Sequence, residues 1–286
     1  MRWRGGRRSS NIEDRRGAGR PGKALGGGIG TILLILAALY FGVDPSFLIE
    51  GMQSANVSGP TSSVQPSAED LQNDPLADMV AVVVGDTEDV WREIFAEAGQ
   101  RYQEPTLVLF KGATRSACGL GQAAMGPFYC PADQKAYIDL SFYDDMRTRF
   151  SAPGDFAQAY VIAHEIGHHV QNLLGVSGEV HGMRQSLSKA EGNKLSVRLE
   201  LQADCFAGVW ANRANAARAI LEDGDVEEAL NAASAIGDDR LQRQSQGTVV
   251  PESFTHGTSA QRQRWFRNGL ASGDPDRCNT FDSEEL

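Results

Sequence analysis

Two histidines four residues apart, with a glutamate directly after the first, place the strongest constraint on how this chain can fold. They lie in VIAHEIGHHV, residues 161–170. At about 100° per residue, a helix over 161–174 aligns Ile162, Ile166 and Val170 in one stripe and leaves the two histidines roughly opposite. The segment is therefore predicted to form a helix with one face packed in a core and a separate histidine face.

The chemistry of this face suits a metal ion. Side chains four apart on a helix approach within about 5–6 Å, so His164 and His168 can converge on one Zn²⁺ at about 2.0–2.1 Å. Glu165 sits beside the pair, where its carboxylate would reach a metal-bound water and act as general base. The motif alone is not decisive, because HExxH also arises by chance. The alternative is a pair of solvated or hydrogen-bonded histidines.

A second segment supplies the missing ligand. In RLELQADCFAGVW, residues 198–210, a helix puts Glu200 and Asp204 on one face. Glu200 is predicted as the third zinc ligand, with the fourth position left to water. Asp204 is predicted to accept the outward N–H of a ligating histidine and so fix its tautomer. Small residues would let this helix approach the first closely: Ala203, Ala207 and Gly208.

These segments carry a family resemblance. HEIGH followed by ELQAD resembles the HExxH plus ExxxD pattern of gluzincin-type zinc peptidases. Together with MRWRGGRRSSNIEDRRG at the N-terminus, LELQADCFAGVWA, and HGTSAQRQRWF near the C-terminus, it resembles the bacterial neutral zinc metallopeptidase family of YpfJ type. The resemblance covers nearly the whole chain outside the linker described below. It implies one zinc ion on His164, His168 and Glu200, catalysis by Glu165, and a bacterial envelope location.

The expected function is hydrolysis of peptide bonds in a peptide or protein substrate by a zinc-activated water, with Glu165 as general base. His256, just before a predicted helix, is a candidate oxyanion stabiliser, and a plain loop histidine is the alternative. His169 and His181 are expected in the core or on the surface. The competing hypothesis is a catalytically silent, membrane-tethered binding module with a structural zinc site. Hydrolysis of a non-peptide amide in the cell wall would use the same residues.

An uncharged stretch near the N-terminus predicts a membrane anchor. Residues 24–43 contain no charge, and a helix of that length spans about 30 Å, enough to cross a bilayer. Arginines precede it and acids follow it, so the positive-inside bias puts the N-terminus in the cytoplasm and the catalytic domain outside, in the periplasm or at the cell exterior. A cleaved secretory signal is the alternative, although no clear small-x-small cleavage site precedes Asp44.

The domain organisation follows from these features. Residues 1–23 are predicted as a basic cytoplasmic tail, 24–43 as a transmembrane anchor, 44–75 as a flexible linker rich in Ser, Pro, Gln and Asn, and 76–286 as the zinc metallopeptidase domain. The predicted class is α+β with helix dominant, a zincin-like domain with a short sheet packed on the HExxH helix.

Local patterns predict the individual elements. LADMVAVVVGDTEDVWREIFAEAGQRY is interpreted as two helices, with Asp86 or Thr87 capping the second. TLVLFKG and KAYIDLSFY are predicted strands. Helices are expected at 155–174, 195–216, 225–237 and 258–270, with a loop at 175–182 and Thr258 or Ser259 capping the last.

Charge and cysteine content limit the partners and the redox setting. The chain has 286 residues, 41% hydrophobic and 22% charged, and a net charge of −10. An acidic body argues against nucleic acid as partner, because phosphate binding needs clustered cations. Outside the cytoplasm the even cysteine count suggests disulfides. The local pairing is Cys118 with Cys130, which leaves Cys205 for Cys278. Four reduced, buried thiols are the alternative if the domain faces the cytoplasm.

Overall fold

The computed structural model describes residues 1–17, 71, 73–122 and 126–286. Contacts between residues divide the chain into two units, Met1–Asp14 with Gln65–Leu286, and Arg15–Val64. The second unit lies almost wholly outside the described residues.

Helices dominate the first unit, and a small sheet accompanies them. In chain order the helices are α1 (Pro75–Glu97), α2 (Ser141–Thr148), α3 (Asp155–Leu173), α4 (Val176–Arg184), α5 (Lys189–Arg218), α6 (Asp225–Ala235), α7 (Asp238–Gln246) and α8 (Ser259–Ser272). The strands are β1 (Ile12–Asp14), β2 (Thr106–Phe110), β3 (Ala113–Ser116), β4 (Gly119–Gln122), β5 (Phe128–Cys130) and β6 (Lys135–Asp139). The fold is therefore helix-rich α+β.

The main sheet has the strand order β1-β2-β6-β5. β1 and β6 both pair parallel with β2, and β5 pairs antiparallel with β6. β3 and β4 form a separate antiparallel hairpin. Leu107, Leu109 and Ile138 project from β2 and β6 into the same buried cluster as Ile162 and Ile166 of α3. The sheet thus packs through its apolar side chains into the core that also holds the histidine helix.

The first predicted helix pair is wrong, because α1 is one continuous helix. Asp74 caps it by accepting from the backbone N–H groups of its first turn. Asp86 and Thr87 are buried within it. Gly85, directly before them, has no room for a side chain, because a Cβ there would lie 2.4 Å from the carbonyl oxygen of Arg7. Glycine is needed because the N-terminal residues cross α1 in close contact.

Two other element predictions differ from the structure. The strand in KAYIDLSFY ends at Asp139, and α2 begins at Ser141. The Asp139 carboxylate accepts from the backbone N–H groups of Gly112 and Ser141, which turns the chain out of the sheet. The predicted loop at 175–182 instead forms most of α4, and Gly175, in the left-handed conformation, is the N-cap of that helix.

The prediction of an N-terminal transmembrane helix is corrected. Residues 24–43 lie outside the described residues. Within the described part of the chain no helix combines the length and the apolar composition that a bilayer crossing requires. The longest helices there, α1 and α5, carry charged side chains along their length. The transmembrane helix in the predicted fold class, the single-pass location and the bilayer partner are therefore withdrawn. The helix-rich α+β part of the predicted class is unchanged.

The predicted sidedness is also overturned by the position of the N-terminal residues. β1 hydrogen-bonds to β2, with Ile12 opposite Leu107 and Glu13 opposite Val108. Strands of one sheet lie about 4.8 Å apart. Residues 12–14 and the histidine-bearing domain therefore cannot lie on opposite sides of a membrane, as a cytoplasmic N-terminus with an extracytoplasmic domain would require.

The basic character of the N-terminal residues has an internal explanation. Arg7 pairs with Glu88 and Asp89 of α1, and Arg8 pairs with Asp78, each by short charged contacts. These arginines therefore compensate acids on α1, two of which are largely buried.

Candidate metal centre

α3 carries the motif histidines on a helix that is anchored by its opposite face. Ile162, Ile166 and Val170 are fully buried, as their spacing predicts. His164 and Glu165 are also buried, and His168 is half-buried. The histidine face thus lies in a sheltered part of the surface.

Three donor groups from two helices meet at this face. A Glu200 oxygen on α5 lies 3.2 Å from Nε2 of His164, and the other oxygen lies 3.6 Å from Nε2 of His168. One ligand atom from each of the three residues lies within 4.8 Å of the other two. Two imidazoles and a carboxylate are a ligand set that catalytic zinc sites use, with one position left for water.

The close approach of α3 and α5 depends on small residues at the crossing. A Cβ at Gly167, between the two histidines, would lie 3.0 Å from the carbonyl oxygen of Ala203 and 3.1 Å from its Cα. Gly208, which was expected to face α3, faces α8 instead, where a Cβ would lie 2.1 Å from the carbonyl oxygen of Phe266. Glycine therefore sets the spacing on two sides of the site.

His164 is oriented by a buried network behind the site. Its Nδ1 lies 2.8 Å from Asp204, as the spacing predicts. Arg262 of α8 donates to both oxygens of Asp204 at 2.8 and 2.9 Å, and the Tyr160 hydroxyl donates to the same carboxylate. These four side chains are buried. With Nδ1 held by Asp204, Nε2 of His164 is directed at Glu200.

The charges of this network are strongly coupled. Burial alone would raise the pKa of Asp204, but attraction to Arg262 and His164 outweighs it and holds that pKa at about 2. Burial likewise disfavours a charged His164, yet Asp204 and Glu200 raise its pKa to about 9. The negative charges that favour a proton on His164 also favour a divalent cation at the same place.

His168 has a neutral partner instead of a carboxylate. Its Nδ1 lies 2.9 Å from Oε1 of Gln171, one turn further along α3. The amide nitrogen of Gln171 donates to the carbonyl of Leu199 at 2.7 Å and to Oε1 of Gln202 at 3.0 Å. Because both of those groups accept, the amide oxygen must face His168. The Nδ1 atom of His168 is then the donor, and its Nε2 is free to ligate.

Glu165 stands apart from the three donors. It is buried, and burial raises the pKa of its carboxyl, while the two neighbouring histidines partly offset that rise. Burial raises the pKa of the Tyr143 phenol, and the negative charge of Glu165 raises it further. Within the described residues the Tyr143 hydroxyl is buried and has no hydrogen-bond partner.

His256 lies on the loop before α8 and is held by an acid that the sequence analysis did not identify. Its Nδ1 is 3.3 Å from Asp238, and the backbone N–H groups of residues 255–257 donate to the other oxygen of that carboxylate. The hydrogen bond that His256 donates to Asp238 raises the pKa of the imidazole, and the negative charge of Glu200 raises it further. The side chain of His256 is half exposed.

The remaining histidines lie away from the donors. His169 is fully buried. Its Nε2 donates to the carbonyl of Gln103 at 2.6 Å, and its Nδ1 accepts from the Tyr129 hydroxyl at 2.9 Å. Burial lowers its pKa to about 4, so it is a neutral core residue that ties α3 to the sheet. His181 is exposed on α4.

Both suggested disulfides are present. Cys118 pairs with Cys130, and Cys205 pairs with Cys278. The second bond joins α5, directly after Asp204, to the C-terminal segment. The two cysteines of this bond are 73 residues apart in the sequence.

A second group of acids also brings its oxygens within 4.8 Å of one another: Asp155, Asp225 and Glu228. The Met1 ammonium lies there, 2.7 Å from Asp155 and 3.2 Å from Asp225. A cation of the chain itself thus compensates this group.

The supporting residues that sequence reasoning missed are Tyr160, Gln171, Asp238 and Arg262. For Arg262 a signal exists: with Trp265, Phe266 and Gly269 it occupies one buried face of α8. An arginine in register with an apolar stripe predicts a buried carboxylate partner.

Comparison with known proteins gives a consistent result. A family model described as "Putative neutral zinc metallopeptidase" matches residues 1–281. The chain is 53% identical over 290 residues to "Uncharacterized protein YpfJ" of Escherichia coli (strain K12), covering 98% of this chain and 99% of that protein. It is 39% identical over 262 residues to "Uncharacterized protein Rv2575" of Mycobacterium tuberculosis (strain ATCC 25618 / H37Rv), covering 87% and 86%. No solved structure matches the chain.

Proposed function

This chain belongs to the family described as "Putative neutral zinc metallopeptidase", and from that premise we propose that it is a zinc-dependent peptidase with one metal ion held by His164, His168 and Glu200. The observation that carries the proposal is the approach of these three donors within 4.8 Å. The outward nitrogen of each histidine also has a hydrogen-bond partner, as zinc-ligating imidazoles usually do. A bound zinc ion supplies a Lewis acid that polarises the scissile carbonyl and lowers the pKa of water.

Glu165 is proposed as the general base. It follows His164 on α3 and is not one of the three donors, so its carboxylate remains available for proton transfer. It accepts a proton from the attacking water and then donates that proton to the leaving amine. Its burial keeps bulk water from competing for this proton.

His256 is proposed to stabilise the developing oxyanion. Asp238 accepts from Nδ1 of His256 and raises the pKa of the imidazole, which favours the protonated ring in which Nε2 is also a donor. A positively charged or N–H-donating imidazole is worth most where charge appears only in the transition state. Its half-exposed position on a loop allows it to contact a substrate that enters from solvent.

The test separates metal binding from proton transfer. Glu165→Gln should retain bound zinc and lose about 10²–10⁴-fold in kcat on mixed quenched-fluorescence peptides. His164→Ala should lose both zinc and turnover. Zinc content is measured by elemental analysis, and turnover with and without a chelator.

Glu93→Gln on the exposed surface of α1 is the matched control and should cleave as the parent does. Cleavage by Glu165→Gln at the parental rate would refute the assignment of the base. Retained zinc with no chelator-sensitive cleavage of any peptide by the parent would favour the silent binding module instead.

A further inference from the structure

A cavity of about 510 Å³ lies between α1, α3, α4, α5 and the C-terminal segment. This volume is within the range of sites that bind ligands in proteins. Its walls are mainly aromatic and aliphatic, with contributions from Trp91, Phe95, Val170, Val180, Met183 and Phe206. The cavity does not include the three donors of the candidate metal centre.

The entrance of this cavity is unusually apolar for an exposed surface. Among the described residues five large apolar side chains are exposed, and Leu174 and Met183, at 48% and 46%, both line the cavity. Leu187, at 40%, follows three residues after the end of α4. Single exposed apolar residues are common, but their concentration beside a cavity is typical of a binding surface.

The charged groups of the cavity are all acidic. Glu179, Asp276 and Asp282 line it and are exposed, and the lining residues of the described chain include no lysine or arginine. None of the three carboxylates forms an ion pair within the described residues. A ligand therefore meets an apolar interior and a negatively charged entrance.

The wall formed by the C-terminal segment is firmly attached. Cys278 forms a disulfide with Cys205 of α5. The Arg198 guanidinium donates to the Thr280 carbonyl, and the Thr280 hydroxyl donates to the Arg198 carbonyl at 2.6 Å. Gln202 also donates to the Cys278 carbonyl. The cavity is thus pre-formed, which reduces the cost of ordering on binding.

We propose that this cavity binds a segment of another polypeptide that presents a large apolar side chain next to a lysine or arginine. The apolar side chain enters the interior, and the cation stays at the entrance beside the carboxylates. Adjacent side chains of a peptide provide this arrangement without burying the charge, whose desolvation would be costly. Because one large apolar side chain supplies most of the buried area, a modest affinity is expected.

The cavity is connected to the candidate metal centre. Gln202 lines the cavity and accepts from Gln171, which in turn accepts from His168. A ligand that displaces Gln202 therefore removes one of the two acceptors that orient Gln171, the partner of His168. This part of the inference rests on the proposed function, and it predicts that an occupied cavity alters the turnover of a separate reporter peptide.

Binding is tested with the full-length, zinc-loaded Glu165→Gln protein, which should leave peptides uncut. The probe is a fluorescein-labelled decapeptide with Phe-Arg at its centre and Gly and Ser elsewhere, followed by fluorescence anisotropy. We expect the Phe-Arg peptide to bind at least about tenfold more tightly than matched peptides with Phe-Glu or Ser-Arg.

Charge exchange supplies a test that does not depend on loss of binding alone. The pair Glu179→Lys and Asp276→Lys should weaken the Phe-Arg peptide and strengthen the Phe-Glu peptide. Leu174→Asp should abolish binding of both, whereas Leu120→Asp, at an equally exposed apolar position on β4, should change neither. Unchanged peptide preference in the charge-exchanged protein would overturn the proposal.

Other occupants and the failure of the peptidase proposal give distinct results. Binding of dodecylamine but of no peptide, or self-association that Leu174→Asp disrupts, would also overturn the proposal. Loss of anisotropy on zinc chelation, with no effect of Leu174→Asp, would place the peptide at the metal centre and not in the cavity. If the wild-type protein showed no turnover, the anisotropy results would stand and only the connection to catalysis would fail.

Discussion

The two motif histidines differ in the group that holds each from behind. His164 faces Asp204, which is ionised and paired with Arg262, whereas His168 faces the neutral amide of Gln171. A carboxylate raises the basicity of an imidazole more than a carboxamide does. A second buried carboxylate, behind His168, would add a further desolvation cost. We infer that the neutral partner limits the negative charge of the site.

Gln171→Ala should weaken zinc binding by about 10–100-fold, because His168 loses the acceptor that fixes its tautomer. Affinity is measured by competition with a chromophoric chelator. Gln158→Ala is the matched control, since Gln158 lies on α3 and its Oε1 has no hydrogen-bond partner in the described structure. Equal zinc affinity of the two variants would show that Gln171 does not position the ligand.

At the scale of elements, the distance between α3 and α5 decides whether the site exists. Each helix alone carries only part of the ligand set, and their backbones must approach closely at Gly167 and Ala203. Both helices are long and pack against other elements along their length. An increase in the distance between them at the crossing therefore cannot be relieved by shifting one end of a helix. A larger distance between α3 and α5 at the crossing therefore also moves Glu200 away from the two histidines.

Gly167→Ala should lower the free energy of unfolding by about 1–3 kcal/mol, because its Cβ meets the backbone of Ala203. It should also weaken zinc binding, as α5 is pushed away. Gly178→Ala on α4 has open space around its Cβ and should be neutral or stabilise by up to about 1 kcal/mol. Urea unfolding and chelator competition measure both. A Gly167→Ala protein with parental stability and affinity would contradict the close-contact argument.

At the scale of the whole molecule, the N-terminal residues complete the domain. The chain first crosses α1 at Gly85, where Arg7 lies near Asp86, and then forms β1, which extends the sheet. Asp86 is almost fully buried where these residues, α1 and the end of α5 meet, with Arg218 at 2.8 Å. Burial raises the pKa of Asp86 to about 6, although Arg218 opposes the rise.

A pH dependence of global stability follows from Asp86. The folded protein holds this proton to about pH 6, whereas an unfolded chain releases it near pH 4. The free energy of unfolding should therefore decrease as pH rises from about 4 to about 6, by about 2–3 kcal/mol from this residue. Asp86→Asn should remove that part of the dependence in urea unfolding across this range. Asp144→Asn, at an exposed position on α2, should leave it intact, and equal effects of the two substitutions would exclude Asp86 as the cause.

The sequence by itself determined the features that depend on spacing along one helix. Local periodicity and end signals predicted the histidine face of α3, the shared face of Glu200 and Asp204 and the helix-rich α+β class. They limited the cap of α8 to Thr258 or Ser259, and in the structure it is Thr258. Family membership, which the quoted motifs indicated, is confirmed by the comparisons. Local physics suffices there because neighbours on a helix are fixed by its geometry.

Only the tertiary structure decided the features that depend on contacts between distant segments. Gly85 is the contact point for Arg7. In the segment interpreted as a cytoplasmic tail, Arg7 and Arg8 pair with acids of α1 and Ile12–Asp14 extend the sheet. Arg262, Gln171 and Asp238 gained their roles from partners far along the chain or on other loops. The reason is physical: a buried charge or a missing Cβ is favourable only in relation to what packs against it, and local periodicity does not specify that neighbour.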